Sequence, residues 1–369
     1  MVLNNIAIYT PTLGGGGAER TTVLLANALV EAGHKVSLLV ADLTDQKSKL
    51  VSELNSKVKL VDFKASRVLM SIPKLCSWIK KNKPTTLISS QTHANIAVAF
   101  AAKLLKFEGR LILREVSTPS INLKKVHGFK LLVLKKLMSW AYTNCSVVVP
   151  VSYGVKEDLE KFLAIKLKNV QVIYDPVIND EMFKLAKEPI VHKWFAKDRK
   201  TPIILAVGRL TEAKNYELLI HSFKLVTQKV DANLIILGEG EDREKLEKLI
   251  KDLNLQHKVD LYGFEQNPFK YMANCDLYVM SSKWEGLPGA LIQALALGAK
   301  IVSTDCPSGP QEILKNNLNS KLVNIKCNNI EFSEALLEML YYEKIKFDNI
   351  GEVDKYTQKN IINRYLEVI

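Results

Sequence analysis

Residues 281–312 read SSKWEGLPGALIQALALGAKIVSTDCPSGPQE. The apolar run just before them, 277–280, has the length of a buried strand. Glu285-Gly286-Leu287-Pro288-Gly289 follows as a tight loop. Gly286 and Gly289 let backbone approach a ligand with no side chain in the way. Residues 289–297 read as a helix closed by Gly298, and 300–304 as the next apolar strand. The N–H groups of Gly289 and Ala290 therefore stand at a helix N-terminus, on the carboxyl side of a parallel strand, where anionic groups are held. Glu285, at the mouth of this loop, repels phosphate but accepts hydrogen bonds from hydroxyls. Phosphate beside a polyol suggests a nucleotide sugar. The competing reading of Glu285 is an ordinary surface acid on a βα loop.

Outward from this stretch the chain alternates strand and helix. Strand patterns fall at 6–10, 36–41, 58–63, 86–90, 111–114, 146–151 and 170–174. Helical patterns at 18–32, 69–81, 94–105, 129–142 and 155–163 lie between them. A polar stretch, 180–202, reads as a connection in which 191–195 can form a helical turn. The alternation then restarts with strands at 203–207, 234–237 and 259–262, and helices at 216–230, 243–253 and 268–273. Helices near 332–342 and 354–366 complete the tail. Repeated βα units predict an α/β protein with two Rossmann-like, doubly wound parallel-sheet domains and a cleft between them. The domains are expected over 1–185 and 186–350, with 351–369 as a terminal helix.

The 369 residues are 47% apolar, enough for full cores, and no run reaches the roughly 18–20 apolar residues of a membrane-spanning helix. The start, MVLNNIAIYTP, lacks the charged lead and cleavage site of a signal peptide. Cys76, Cys145, Cys275, Cys306 and Cys327 are scattered, without metal or disulfide spacing, which fits a reduced cytoplasmic setting. The net charge of +12 is local: residues 61–150 hold 15 basic and 3 acidic side chains and account for all of it. Such a field calls for an anionic partner. Lys74, Lys80, Lys81 and Lys83 accompany Trp78 in one segment, and Lys130, Lys135 and Lys136 accompany Leu, Val, Met and Trp140 in another. Basic-aromatic helices suit an anionic membrane surface; the alternative is core helices with lysine-rich solvent faces. Nucleic acid is set aside, because no nucleic-acid motif appears.

Further motifs end other strands. Residues 12–20, TLGGGGAER, place Gly15 and Gly16 between the first strand and a helix, without the GxGxxG-to-acid spacing of a dinucleotide site or the Lys-Ser/Thr of a P-loop. Gly208-Arg209 and Lys214-Asn215 follow the first strand of the second half, where a guanidinium fork and an ammonium suit a diphosphate, although spacing alone favours two solvated surface bases. Gly238-Glu239-Gly240 and Gly263-Phe264 end the next two strands, and Ser308 to Glu312 opens a further helix.

Taken together, these residues resemble the retaining glycosyltransferases of the GT-B fold, family 4. Glu285-Gly286-Leu287-Pro288 matches that family's Glu-Gly-aromatic-Pro, and Gln293 stands where the family has a second glutamate for the ribose hydroxyls. The resemblance implies a nucleotide diphosphate sugar as donor, UDP-linked by preference, and a lipid-linked or surface-polysaccharide (lipopolysaccharide) acceptor at the cytoplasmic membrane face. It implies that Arg209 and Lys214 stabilise the departing diphosphate, that Glu285 holds the sugar, and that Gly15, Gly16, Gly208, Gly238, Gly263, Phe264 and 286–290 line the donor site. It also implies a final helix crossing back to the first domain, and an acceptor attacking from the leaving-group face. With no Asp-x-Asp, neither metal nor other cofactor is expected. The family's histidine after the fourth or fifth strand is absent from 114–119; His93, Asn95, Arg114, Glu115 and Ser117 are the acceptor-side candidates. A GT-B epimerase and a non-catalytic nucleotide-sugar-binding partner of another transferase are the alternatives.

Overall fold

Parallel strands buried on both faces build two sheets in the computed structural model, which describes residues 4–44, 48–196, 198–343 and 350–369. The chain divides into two compact units, 1–177 with 355–369, and 178–354. The sequence reading set these boundaries at 185 and 350.

In unit 1 the strands are β1 (Asn5–Thr10), β2 (Lys35–Val40), β3 (Lys59–Asp62), β4 (Thr86–Ser90), β5 (Arg110–Glu115) and β6 (Val147–Pro150). Their order is β3-β2-β1-β4-β5-β6, all parallel. The crossover helices are α1 (Gly17–Glu31), α2 (Val68–Asn82), α3 (Thr92–Leu104), α4 (Pro119–Asn122), α5 (Gly128–Thr143) and α6 (Tyr153–Leu163). Helix α2 packs on α3 and α3 on α5, over a core of Tyr9, Leu39, Leu75, Val98, Leu113 and Met138.

Unit 2 has α7 (Asp180–Leu185), β7 (Ile203–Val207), α8 (Tyr216–Val226), β8 (Asn233–Leu237), α9 (Arg243–Asp252), β9 (Val259–Gly263) and α10 (Phe269–Asn274). It continues with β10 (Leu277–Met280), α11 (Gly289–Ala296), β11 (Ile301–Asp305), α12 (Pro310–Leu314), β12 (Ser320–Asn324), α13 (Asn329–Tyr341) and α14 (Ile350–Val353). The order β12-β11-β10-β7-β8-β9 repeats the winding of unit 1, taken from β7 as its first strand. This is the doubly wound Rossmann order in both units.

Two expectations change. Residues 170–174 form one bridge, Val148 to Val170, and no strand. Val148 N–H donates to Asn169 O and Gln171 N–H to Val148 O, but the next donor in the ladder is Pro150, which has no N–H. Conversely β12, a polar edge strand, and α7, capped by Asn179 through Met182 N–H, lack the apolar signal by which a sequence reading finds elements.

The C-terminal helix α15 (Gln358–Leu366) packs on α1, with Gln358 Nε2 donating to Glu31 Oε2 at 2.6 Å. Arg114, at the end of β5, is fully buried and paired with Asp175; Tyr365 of α15 is buried beside it. Desolvation pushes the Asp175 carboxyl up, with Arg114 opposing it. Removing one member of a buried pair strands the other charge. Arg114→Met alone is therefore expected to cost about 3–5 kcal/mol in thermal or denaturant unfolding, and adding Asp175→Asn is expected to recover part of that loss.

Candidate functional site

In unit 2 the strand order reverses between β7 and β10, so the loops leaving these neighbours part in opposite directions. Lys214 follows β7 and Glu285 follows β10. Lys214 ends a 3₁₀ turn, Glu212–Lys214, and Asn215 (φ +51°) redirects the chain into α8. Ser281 Oγ donates to Lys214 O at 2.8 Å, and Lys283 N–H to Ala213 O at 2.7 Å, so the two exit loops are joined. Glu285 N–H donates to Pro307 O at 3.1 Å, which joins the exit of β11 as well.

Across this junction Lys214 Nζ contacts Glu285 Oε1 at 2.6 Å, and Ser282 Oγ donates to the same oxygen at 2.6 Å. Both charged side chains are largely covered, 23% and 12% exposed. Burial, with the Glu285 charge second, pushes the Tyr216 hydroxyl and the Cys306 thiol up. Gly208 leaves room for the Lys214 stem: a Cβ there would lie 3.0 Å from Lys214 Cε and from the Tyr216 hydroxyl. Gly238 (φ +149°) lies so close to β7 that a Cβ would meet Gly208 O at 2.0 Å.

The other donor-side residues surround this pair on the carboxyl edge of the sheet. Gly286 and Leu287 are half-buried in the β10 exit, and Pro288 is buried beside Gly309. Helix α11 begins at Gly289, so Gly289 and Ala290 occupy its first turn, where N–H groups have no partner within the helix. Gln293 is half-buried one turn on. Arg209 is exposed after β7, and Phe264 is 65% exposed after Gly263. This assembly can hold an anion at a helix terminus and two bases, with a carboxylate beside them for hydroxyls. Among the described residues no cluster of three or more His, Cys, Asp or Glu has the arrangement of a metal site.

The pattern of glycosyl transferases group 1 matches residues 188–352, and that of glycosyltransferase family 4 matches 15–181. The N-acetylgalactosamine-N,N'-diacetylbacillosaminyl-diphospho-undecaprenol 4-alpha-N-acetylgalactosaminyltransferase of Campylobacter jejuni is 31% identical over 354 residues, 93% of this chain and 92% of that one. The chain belongs to glycosyltransferase family 4. The amylovoran biosynthesis glycosyltransferase AmsD of Erwinia amylovora is a further relative, 25% identical over 90% of this chain and 88% of its own. The fold of this family 4 enzyme is GT-B. The lipopolysaccharide outer core galactosyltransferase WaaB in its apo form superposes with TM-score 0.72 at 18% identity, covering 98% of both chains. HepE of Anabaena in complex with UDP does so with TM-score 0.74 at 15% identity, also over 98% of both.

In unit 1 of the transferase, Gly15 (φ +101°) and Gly16 lie in the β1–α1 loop. Glu19 closes that loop by accepting from Gly16 N–H at 2.8 Å and from Thr12 Oγ1. The acceptor-side candidates divide. Asn95, Arg114 and Glu115 are fully buried and engaged within the unit, so they do not present themselves to an acceptor. Asn95 Nδ2 donates to Arg114 O at 2.7 Å. Glu115 accepts from the Tyr142 hydroxyl at 2.5 Å, Thr92 Oγ1 at 3.1 Å and Ser117 Oγ at 3.0 Å, and desolvation pushes its carboxyl up. The reason lies in the sheet: β5 is the fifth of six strands, covered on both faces, and its last two residues point inward to opposite layers. His93 is exposed and Ser117 half-buried. Ser281, Ser282, Tyr216 and Cys306 had no motif in the sequence, because a serine or cysteine at a strand end has no spacing rule.

Gly238→Ala is expected to lower the melting temperature by several degrees, since the added Cβ meets a carbonyl in a backbone conformation that L residues rarely adopt. Gly33→Ala, also at positive φ but with nothing within 4 Å, is the control and should cost less.

Proposed function

We propose that this family 4 glycosyltransferase is a retaining enzyme that moves a sugar from a UDP-sugar to a lipid-linked or surface-polysaccharide acceptor at the cytoplasmic face of the membrane. The observation that carries the donor reading is the pairing of Lys214 with Glu285 at the switch point of unit 2, beside the start of α11. The relatives named above act on an undecaprenol-linked saccharide and in amylovoran biosynthesis, which supports the acceptor class. The UDP complex of HepE supports the choice of nucleotide.

In this reading Arg209, Lys214 and the N–H groups of Gly289 and Ala290 receive the charge that develops on the departing diphosphate. Glu285 holds the sugar hydroxyls. The acceptor oxygen bonds to the anomeric carbon on the face the diphosphate leaves, the carbon–phosphate-oxygen bond breaks, and the acceptor proton passes to the departing phosphate oxygen. The bases meet the diphosphate charge without a resident metal. Lys214→Ala and Glu285→Ala should each reduce transfer by about a hundredfold or more, with the fold retained by circular dichroism, in assays with UDP-sugars and lipid-linked acceptors. Full activity in either variant would overturn the site.

The membrane reading is supported by helix α5. A core helix keeps its apolar side inward, yet α5 exposes Phe129 (80%), Leu132, Val133 and Leu137 at helical spacing, with Lys130 and Lys136 exposed among them. Helix α3 adds exposed Phe100 and Leu104, and α2 adds Leu69 and Met70 with Lys74, Lys80 and Lys81. Lys135 is turned inward over the Phe162 ring, 4.1 Å from its centroid. No helix among the described residues is long and apolar enough to cross a membrane. An apolar face set among lysines fits insertion into the headgroup region of an anionic leaflet. Lys130→Glu with Lys136→Glu should weaken binding to phosphatidylglycerol-containing vesicles by about tenfold or more. Phe129→Ser with Leu132→Ser should remove the part of binding that resists salt. Binding unaltered in both variants would sink the membrane reading.

A further inference from the structure

The Lys214 ammonium and the Ser282 hydroxyl meet at Glu285 Oε1, and they differ in how firmly they are held. Ser282 is fully buried, and its carbonyl accepts from Thr304 Oγ1 at 2.6 Å, so β11 fixes its position. Its hydroxyl donates to Glu285 at 2.6 Å from that fixed point. Lys214 is fixed at its backbone by Ser281, 2.8 Å from its carbonyl, but its ammonium sits on a four-carbon stem with three N–H donors. The stem is the part that can swing.

The pair opposes an arriving diphosphate in two ways. The Lys214 charge is already engaged by a carboxylate at 2.6 Å, and that carboxylate repels phosphate oxygens in a site where both side chains are mostly shielded from water. A sugar-bearing donor offsets this opposition through hydroxyls that donate to Glu285. A bare nucleoside diphosphate has no sugar to do so.

Building on the donor-site reading above, we propose that Glu285 holds Lys214 until a diphosphate draws it away, and thereby makes the site favour the sugar-bearing donor over the bare nucleoside diphosphate. Ser282 is the positioning residue that keeps the carboxylate directed at the sugar once Lys214 has moved. The same opposition helps expel the nucleoside diphosphate after transfer, when the sugar hydroxyls have left with the acceptor. Neither role is visible in the family's sequence pattern, because each depends on Lys214 and Ser282 meeting at Glu285 Oε1.

The test is calorimetric titration of the whole protein and four variants with UDP, UDP-N-acetylgalactosamine and UDP-glucose, and of the wild type also with GDP and ADP. Glu285→Gln, which keeps shape and removes charge, is expected to bind UDP about fivefold more tightly than wild type, while its preference for the sugar-bearing ligand falls. Ser282→Ala is expected to leave UDP affinity unchanged, weaken the preferred UDP-sugar about tenfold and raise KM for it, with Ser282→Thr restoring both. Equal or weaker UDP binding by Glu285→Gln overturns the holding role, and this isosteric variant decides it even where Ser282→Ala does not fold. Equal losses for UDP and UDP-sugar in Ser282→Ala, or no rescue by threonine, overturn the positioning role. Wild type that binds none of UDP, GDP and ADP, or Lys214→Ala that binds UDP as wild type does, overturns the underlying donor site itself.

Discussion

Strand order is the constraint on which the site depends. With β7 and β10 adjacent and their connections leaving in opposite directions, the carboxyl edge of the second sheet opens between them. Lys214 and Glu285, 71 residues apart, enter that opening from its two sides and meet. Backbone hydrogen bonds from Lys283 to Ala213 and from Glu285 to Pro307 join the exits of β7, β10 and β11 around it. Gly208 leaves space for the Lys214 stem and the Tyr216 hydroxyl, and Gly238 removes a side chain where the exits of β7 and β8 approach closely.

Unit 1 repeats the same winding with a different use of its edge. The ends of β4 and β5 carry Ser90, Arg114 and Glu115, but these turn into the layers above and below the sheet. Arg114 meets Asp175, just before the chain leaves the unit, and Tyr365, on the helix that returns to it. The buried charge thus ties both chain crossings to the sheet, a structural duty. Glu115 similarly links α3 to α5 through Thr92 and Tyr142. Glu115 lies in the layer under α5, whereas Arg114 and its partners lie in the opposite layer, beside α15.

That face shows how charge and hydrophobicity combine. The lysine excess of residues 61–150 by itself describes an anionic partner in general. Phe129, Leu132, Val133 and Leu137 stand outward, where Met138 and Ala141 face the core, so an apolar face lies among those lysines.

Periodicity and glycine placement, read from the sequence, determined the alternating βα architecture, the loops at the strand ends and the motif around Glu285, because these are local properties of the backbone. They also placed Arg209, Lys214 and Gly289 at strand exits and a helix start. The sequence could not decide whether Arg114, Asn95 and Glu115 face solvent, since that depends on the helices packed over β5. Nor could it show that residues 170–174 fail to extend the sheet, because the missing donor belongs to Pro150, some twenty positions earlier in the chain. Ser282 is the clearest case. A serine three residues before a glutamate has no meaning as spacing, and acquires one only when β11 fixes its carbonyl and the turn after β7 brings Lys214 to the same carboxylate oxygen. Local order is written along the chain, whereas the partner of each polar group is chosen by segments that folding brings together.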